Sequence, residues 1–184
     1  MTLLMLGPGA DDDQNMVSGM RAATKVLVVI AGYAGAVVVT SGAVALHVAS
    51  TSGPDRQSAG GMYAFGDSLL FLGVFSAAAT PATAAALFFL RGRPRFWRGL
   101  AAAAAVMAGT ALPAPLLYYA VQSSWAGVSV LRVLVAPPLA LLWFLSGVLA
   151  PAHGPRRLLL ASAAIEAAAF AAVALRWFLA LAGR

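Results

Sequence analysis

The sequence predicts an all-α polytopic membrane helix bundle of about five transmembrane helices, with the N-terminus inside and the C-terminus outside. Three observations carry that prediction. The 184 residues are 61% hydrophobic and only 10% charged, with a mean hydropathy of +0.87, whereas a soluble domain is about 45–50% apolar and about 25% charged. A soluble chain of this composition has too little polar surface to cover itself. Five apolar blocks each approach the ~20 residues that cross ~30 Å of hydrocarbon. Basic residues gather in alternate connections, which sets orientation.

Residues 1–25 lack a periodic apolar frame. Their acidic triplet, Asp11, Asp12 and Asp13, resembles a magnesium-binding run, but its terminal setting predicts a disordered tail or a leader upstream of a start at Met16 or Met20. The first span is expected over 26–49. Its apolar core exceeds the ~7–15 residues of a secretory signal, although small residues near Ser50 keep a cleaved signal as an alternative. A polar, Gly-rich connection at 51–61 leads to a span over 63–90. The basic turn 91–98, with Pro94 as a helix stop, precedes a span over 99–121. A short polar hairpin at 122–125 leads to a span over 127–150. The Pro/Gly-bounded turn 151–157 precedes the last, over 158–181.

Arg21, Lys25, Arg91, Arg93, Arg95, Arg98, Arg156 and Arg157 fall on one face, eight in all, against Arg56 and Arg184 on the other. That asymmetry puts the N-terminus inside. Aromatics agree: Phe88, Phe89, Phe96 and Trp97 mark the inner interface, and Tyr63, Tyr118, Tyr119, Trp125 and Trp177 the outer one. The net charge of +6 and pI near 10.8 mimic a nucleic-acid binder. The basic residues sit between apolar blocks, so the expected partner is the lipid bilayer and no nucleic acid. The absence of cysteine excludes disulfides, thiolate metal sites and Cys nucleophiles. Eleven Arg against one Lys, with heavy Ala use, points to a bacterial genome rich in G and C, and so to an inner membrane.

Ionisable residues inside spans are functional candidates, because a charge near the bilayer centre costs at least ~2.5–3.5 kcal/mol. Asp67, Arg132, Glu166 and Arg176 are of this kind. At ~1.5 Å rise per residue, Asp67 and Arg132 lie roughly 6 and 8 Å beneath the outer surface. Arg176 and His47 share that layer. Asp67 paired with Arg132 or Arg176 would lock helices together; a relay using His47 is the alternative. Glu166 lies roughly 13 Å from the inner side, near the midplane. With no opposite charge at that depth, it is expected to keep its proton, because desolvation disfavours the ionised form. Thr80 and Thr110 are its expected partners, with the carbonyls of Ala77 and Gly109, which Pro81 and Pro113 leave without their usual donors. Pro81, Pro113, Pro115, Pro137 and Pro138 place kinks in three successive spans. Ala31, Gly35, Gly42, the Ala101–Ala105 run, Gly109, Ser146 and Gly147 are expected at close helix contacts.

The stretch Met62-Tyr-Ala-Phe-Gly-Asp67-Ser-Leu-Leu-Phe71, continuing through Pro81 to Phe89-Leu-Arg91 and Phe96-Trp97, resembles an uncharacterised family of small bacterial multi-pass inner-membrane proteins. The resemblance implies a shared helix start at Gly66-Asp67 and no particular activity. No P-loop, dinucleotide fingerprint, zinc-protease helix, nucleophile elbow or EF-hand loop is present, and no cofactor or metal is expected. These readings point to a non-enzymatic accessory or structural membrane component, working in a homo-oligomer or with a membrane-protein partner. A small proton- or anion-coupled transporter or channel is the alternative.

Overall fold

The computed structural model describes residues 10–113 and 125–183. Every described element is helical: α1 (Ala10–Ser50), α2 (Pro54–Ser58), α3 (Gly60–Ala78), α4 (Thr80–Phe89), α5 (Pro94–Ala111), α6 (Trp125–Leu149) and α7 (His153–Ala182). Four stretches are long and apolar enough to cross a membrane, namely Arg21–Ser50 within α1, Gly60–Ala78, Val130–Leu149 within α6 and His153–Ala182. Val26, Leu27, Ile30, Val38 and Leu46 on α1 are more than half exposed. A continuous apolar face of that kind belongs against lipid rather than water.

Two groups of helices meet through α6. α1 packs on α3 and α4, α7 packs on α6 and α5, and α6 also touches α3 and α4. The tightest core forms where the end of α4, the start of α5, the end of α6 and the start of α7 converge, around Leu87, Trp97, Trp143 and Leu159. Ala101, Ala104, Ala108 and Ala111 are buried along one face of α5, at the three-and-four spacing of a helical stripe. Their small side chains let α5 lie close to α7. Gly147 does the same for α6, since a Cβ there would meet Leu160 Cδ2 at 2.7 Å.

Several sequence expectations change. The helix begins at Ala10, so 10–25 is not part of a disordered tail, and 1–9 lie outside the described residues. Extending a formed helix fixes one residue per hydrogen bond without a new nucleus, so the long apolar span carries the polar segment with it. The second block is divided at Ala79 into α3 and α4, with Pro81 in the first turn of α4. The kink follows from the donor that proline lacks. In the third block α5 ends at Ala111, where Pro113 disfavours helix in the residue before it; positions 114–121, with Pro115, Tyr118 and Tyr119, and the hairpin at 122–124 lie outside the described residues. α6 runs through Pro137 and Pro138 without interruption.

Close contacts also move. Gly35, Gly42 and Gly109 face open space, whereas Gly32 brings α1 against Ala82, with a Cβ there only 2.8 Å from the Ala82 methyl. Trp97 is not an interfacial anchor. It is 1% exposed and its indole N–H donates to the Leu90 carbonyl at 3.1 Å, stapling the turn between α4 and α5.

Candidate functional site

Glu166 is fully buried in α7, at 0% exposure. It is not alone there. Arg132, on α6, donates from Nη1 to Glu166 Oε2 at 2.9 Å and from Nη2 to Oε1 at 2.5 Å. This is the bidentate fork that guanidinium and carboxylate share. Nε of the same arginine donates to Thr110 Oγ1 at 3.0 Å, and Nη2 also reaches the Met107 carbonyl at 2.8 Å. Thr110 in turn gives its hydroxyl hydrogen to that carbonyl at 2.7 Å. Arg132, carried on α6, is thus bound to two other helices at once: by a carboxylate on α7, and by a hydroxyl and a carbonyl near the end of α5.

The electrostatics agree with the geometry. The end of a helix presents carbonyls without partners and carries the negative pole of its dipole. α5 ends at Ala111, so its last turn and Glu166 turn negative potential toward one cation. The side chains of Arg132 and Glu166 are 15% and 0% exposed, and in that setting each charge needs the other.

This arrangement corrects the sequence reading of Glu166 as a carboxyl without an opposite charge. Depths counted along the helix axis place the Cα of Arg132 well away from that of Glu166, but the long arginine side chain spans the offset. Thr110 belongs to the site as expected. Thr80 does not: it donates to the Ser76 carbonyl at the end of α3 at 2.9 Å and lies in a cleft between α1, α3, α4 and α6. The carbonyl recruited on α5 is that of Met107, not Gly109.

Asp67 takes neither of its two expected partners. Arg132 is held by Glu166, and α3, which carries Asp67, does not pack against α7, which carries Arg176. Arg176 is exposed on the last third of α7. Asp67 Oδ2 instead receives Arg56 Nη2, and Arg56 Nη1 donates to Thr51 Oγ1 at 2.7 Å. The Arg56 guanidinium lies over the Tyr63 ring at 5.1 Å, so that residue is more than an orientation charge. The signal that could have found it is local: a loop arginine eleven residues before an acid near the start of the next long helix. His47 stands with Nε2 at 3.9 Å from Asp67 Oδ1. The ionisable groups expected in one layer therefore separate: His47 and Asp67 join Arg56 in a clasp tying α1, α2 and α3, and Arg132 joins Glu166 in a pair tying α5, α6 and α7.

Chemically, Glu166 has both carboxylate oxygens paired by Arg132, whereas Asp67 is paired through Oδ2 alone and its buried Oδ1 has no hydrogen-bond partner among the described residues. Among the described residues no three His, Asp or Glu side chains are placed to share a metal ion. No protein-family model, curated protein or solved structure matches the chain, so the function of these clusters is argued from their own geometry.

Proposed function

We propose that this chain is a non-enzymatic accessory or structural component of a bacterial inner membrane. In this reading it has five spans, with the N-terminus inside and the C-terminus outside, and works in a homo-oligomer or beside a membrane-protein partner. The observation that carries the reading is the Arg132–Glu166 pair. Both carboxylate oxygens of Glu166 are engaged by one guanidinium, which is itself anchored to α5. A carboxyl that carries protons across a membrane must exchange them with water, and one this buried and this fully paired is suited to fastening helices instead. The eight cations at the α4–α5 and α6–α7 turns and on the early part of α1 form no ion pair among the described residues, which supports placing that end toward the anionic inner leaflet.

Proton flux through liposomes containing the wild type and Glu166→Gln at matched density tests the reading. Neither should conduct. Flux in the wild type that is lost in Glu166→Gln would overturn the proposal in favour of a proton-coupled transporter. A reporter fused after Arg184 should be active only outside, and gentle solubilisation should yield an oligomer or a stoichiometric partner.

A further inference from the structure

A cleft of about 200 Å³ lies between α1, α3, α4 and α6, at the break between α3 and α4. Several times the ~30 Å³ share of one liquid water, it has room for a small organic molecule. Its wall is mainly aliphatic and aromatic, from Phe75 and Leu142 among others, and four hydroxyl residues line it: Tyr33, Ser76, Thr80 and Thr83. No charged residue does.

The hydrogen-bond directions of those hydroxyls decide what the cleft can recognise. Ser76 donates its one hydrogen to the Leu72 carbonyl at 2.6 Å, Thr80 donates to Ser76 O at 2.9 Å, and Thr83 donates to Ala79 O at 2.9 Å. Tyr33 Oη and Thr83 Oγ1 are 2.8 Å apart. Either hydroxyl can donate in that bond; with the hydrogen of Thr83 given to Ala79 O, the donor is Tyr33. All four hydroxyl hydrogens are therefore used, and all four oxygens keep acceptor lone pairs. Pro138 on the facing wall brings no N–H. In this arrangement the cleft is an apolar slot whose hydroxyls are set to accept.

Such a slot favours a ligand with a hydrogen to give and an apolar body. A cation would satisfy the acceptors but find no counter-charge, because Glu166 and Asp67 are both engaged elsewhere, and an uncompensated charge at this depth is costly. We propose that the cleft binds a neutral aliphatic alcohol, its hydroxyl donating to the oxygens contributed by Tyr33, Thr80, Thr83 and Ser76 and its chain lying against Phe75 and Leu142.

The test uses the full chain in detergent, photolabelled with a diazirine-bearing hexanol, with the labelled peptides identified by mass spectrometry. The competitors are n-hexanol and methyl pentyl ether, which share one atomic composition and differ in having or lacking the donor. Labelling should fall on the α3–α4 break and the middle of α6, and n-hexanol should compete at about five- to tenfold lower concentration than the ether, the effect of one net hydrogen bond. Ala79→Leu, which fills the cleft, should abolish the difference; should that variant not fold, Thr80→Val should shrink it. A second arm adds hexadecanol to phosphatidylcholine vesicles containing the protein: competition there identifies a membrane-borne alcohol, and competition by n-hexanol alone a free one. Equal competition by alcohol and ether, or labelling spread over the lipid-facing surface, would overturn the proposal and leave a cleft that holds water or acyl chains only.

Discussion

Consider the removal of one charge from the pair at the junction of α5, α6 and α7. Glu166→Gln preserves size and one carbonyl oxygen but turns an amide N–H₂ toward a guanidinium that also only donates. Of the four hydrogen bonds that Arg132 makes, the two to Glu166 are affected: one loses its acceptor, and the other keeps the arginine's charge but loses the carboxylate's. Bonds to charged groups contribute about 1.5–3 kcal/mol each, and breaking one side of a buried pair costs about 3–5 kcal/mol. Two features lower the figure here. Arg132 retains the Met107 carbonyl and Thr110, and the end of α5 continues to favour a cation by about 0.5–1 kcal/mol. The expected loss for Glu166→Gln is therefore about 2–4 kcal/mol. Arg132→Met should cost a comparable amount, since it leaves the buried Glu166 side chain without its partner. The double replacement Arg132→Met with Glu166→Leu should return to within ~1 kcal/mol of the wild type, as replacing a buried ion pair by apolar side chains does. Unfolding in mixed micelles, followed by far-ultraviolet dichroism, supplies the double-mutant cycle. Polar contacts between membrane helices average only about 0.6 kcal/mol and reach about 1.7. A coupling below ~0.5 kcal/mol would refute the claim that this pair is a principal fastener.

Three further expectations use the same unfolding assay. Ser146 is fully buried and its hydroxyl has no hydrogen-bond partner among the described residues, so Ser146→Ala should be neutral or stabilising by up to ~1–2 kcal/mol; a loss above ~1 kcal/mol would mean that the hydroxyl is satisfied. Gly32→Val places carbon where Ala82 already stands and should cost about 1–3 kcal/mol, while Gly35→Val, in open space, should stay within ~0.5 kcal/mol; equal effects would sink the proposed α1–α4 contact. Asp67→Asn and Arg56→Ala should each destabilise by roughly 0.5–1.5 kcal/mol and show coupling. Strictly additive losses would separate the two residues.

Membrane class and helical content were legible because hydropathy accumulates along the chain and does not depend on neighbours in space. The blocks around α1, α3, α6 and α7 could be marked on that ground alone. Pro81 likewise announced the division between α3 and α4 through the hydrogen that proline lacks. Glu166, Arg132 and Thr110 could be singled out one at a time, since their cost in a bilayer is a property of residue type and depth. Their association could not, because it depends on helix rotation and on how far an arginine reaches beyond its own Cα. Arg56 was hidden for a related reason: a loop cation reads as orientation until α2 folds it back on Asp67. Trp97 sits beside a basic turn and has the composition of an interfacial anchor, yet the convergence of α4, α6 and α7 around Leu87, Trp143 and Leu159 buries it. The start of α1 at Ala10 escapes any test based on hydropathy, since the extension is polar.

The Arg132–Glu166 pair also bears on how the chain enters the bilayer. α6 precedes α7 during synthesis, and on its own it would carry an arginine into hydrocarbon at about 2.5–3.5 kcal/mol; α7 alone would carry a buried acid. Each span removes the other's penalty, and only the short turn between Leu149 and His153 separates them. In the proposed topology α6 and α7 would therefore insert as one unit, a hairpin that partitions as a whole, and a chain stopped before α7 would leave Arg132 with only the end of α5 to hold it.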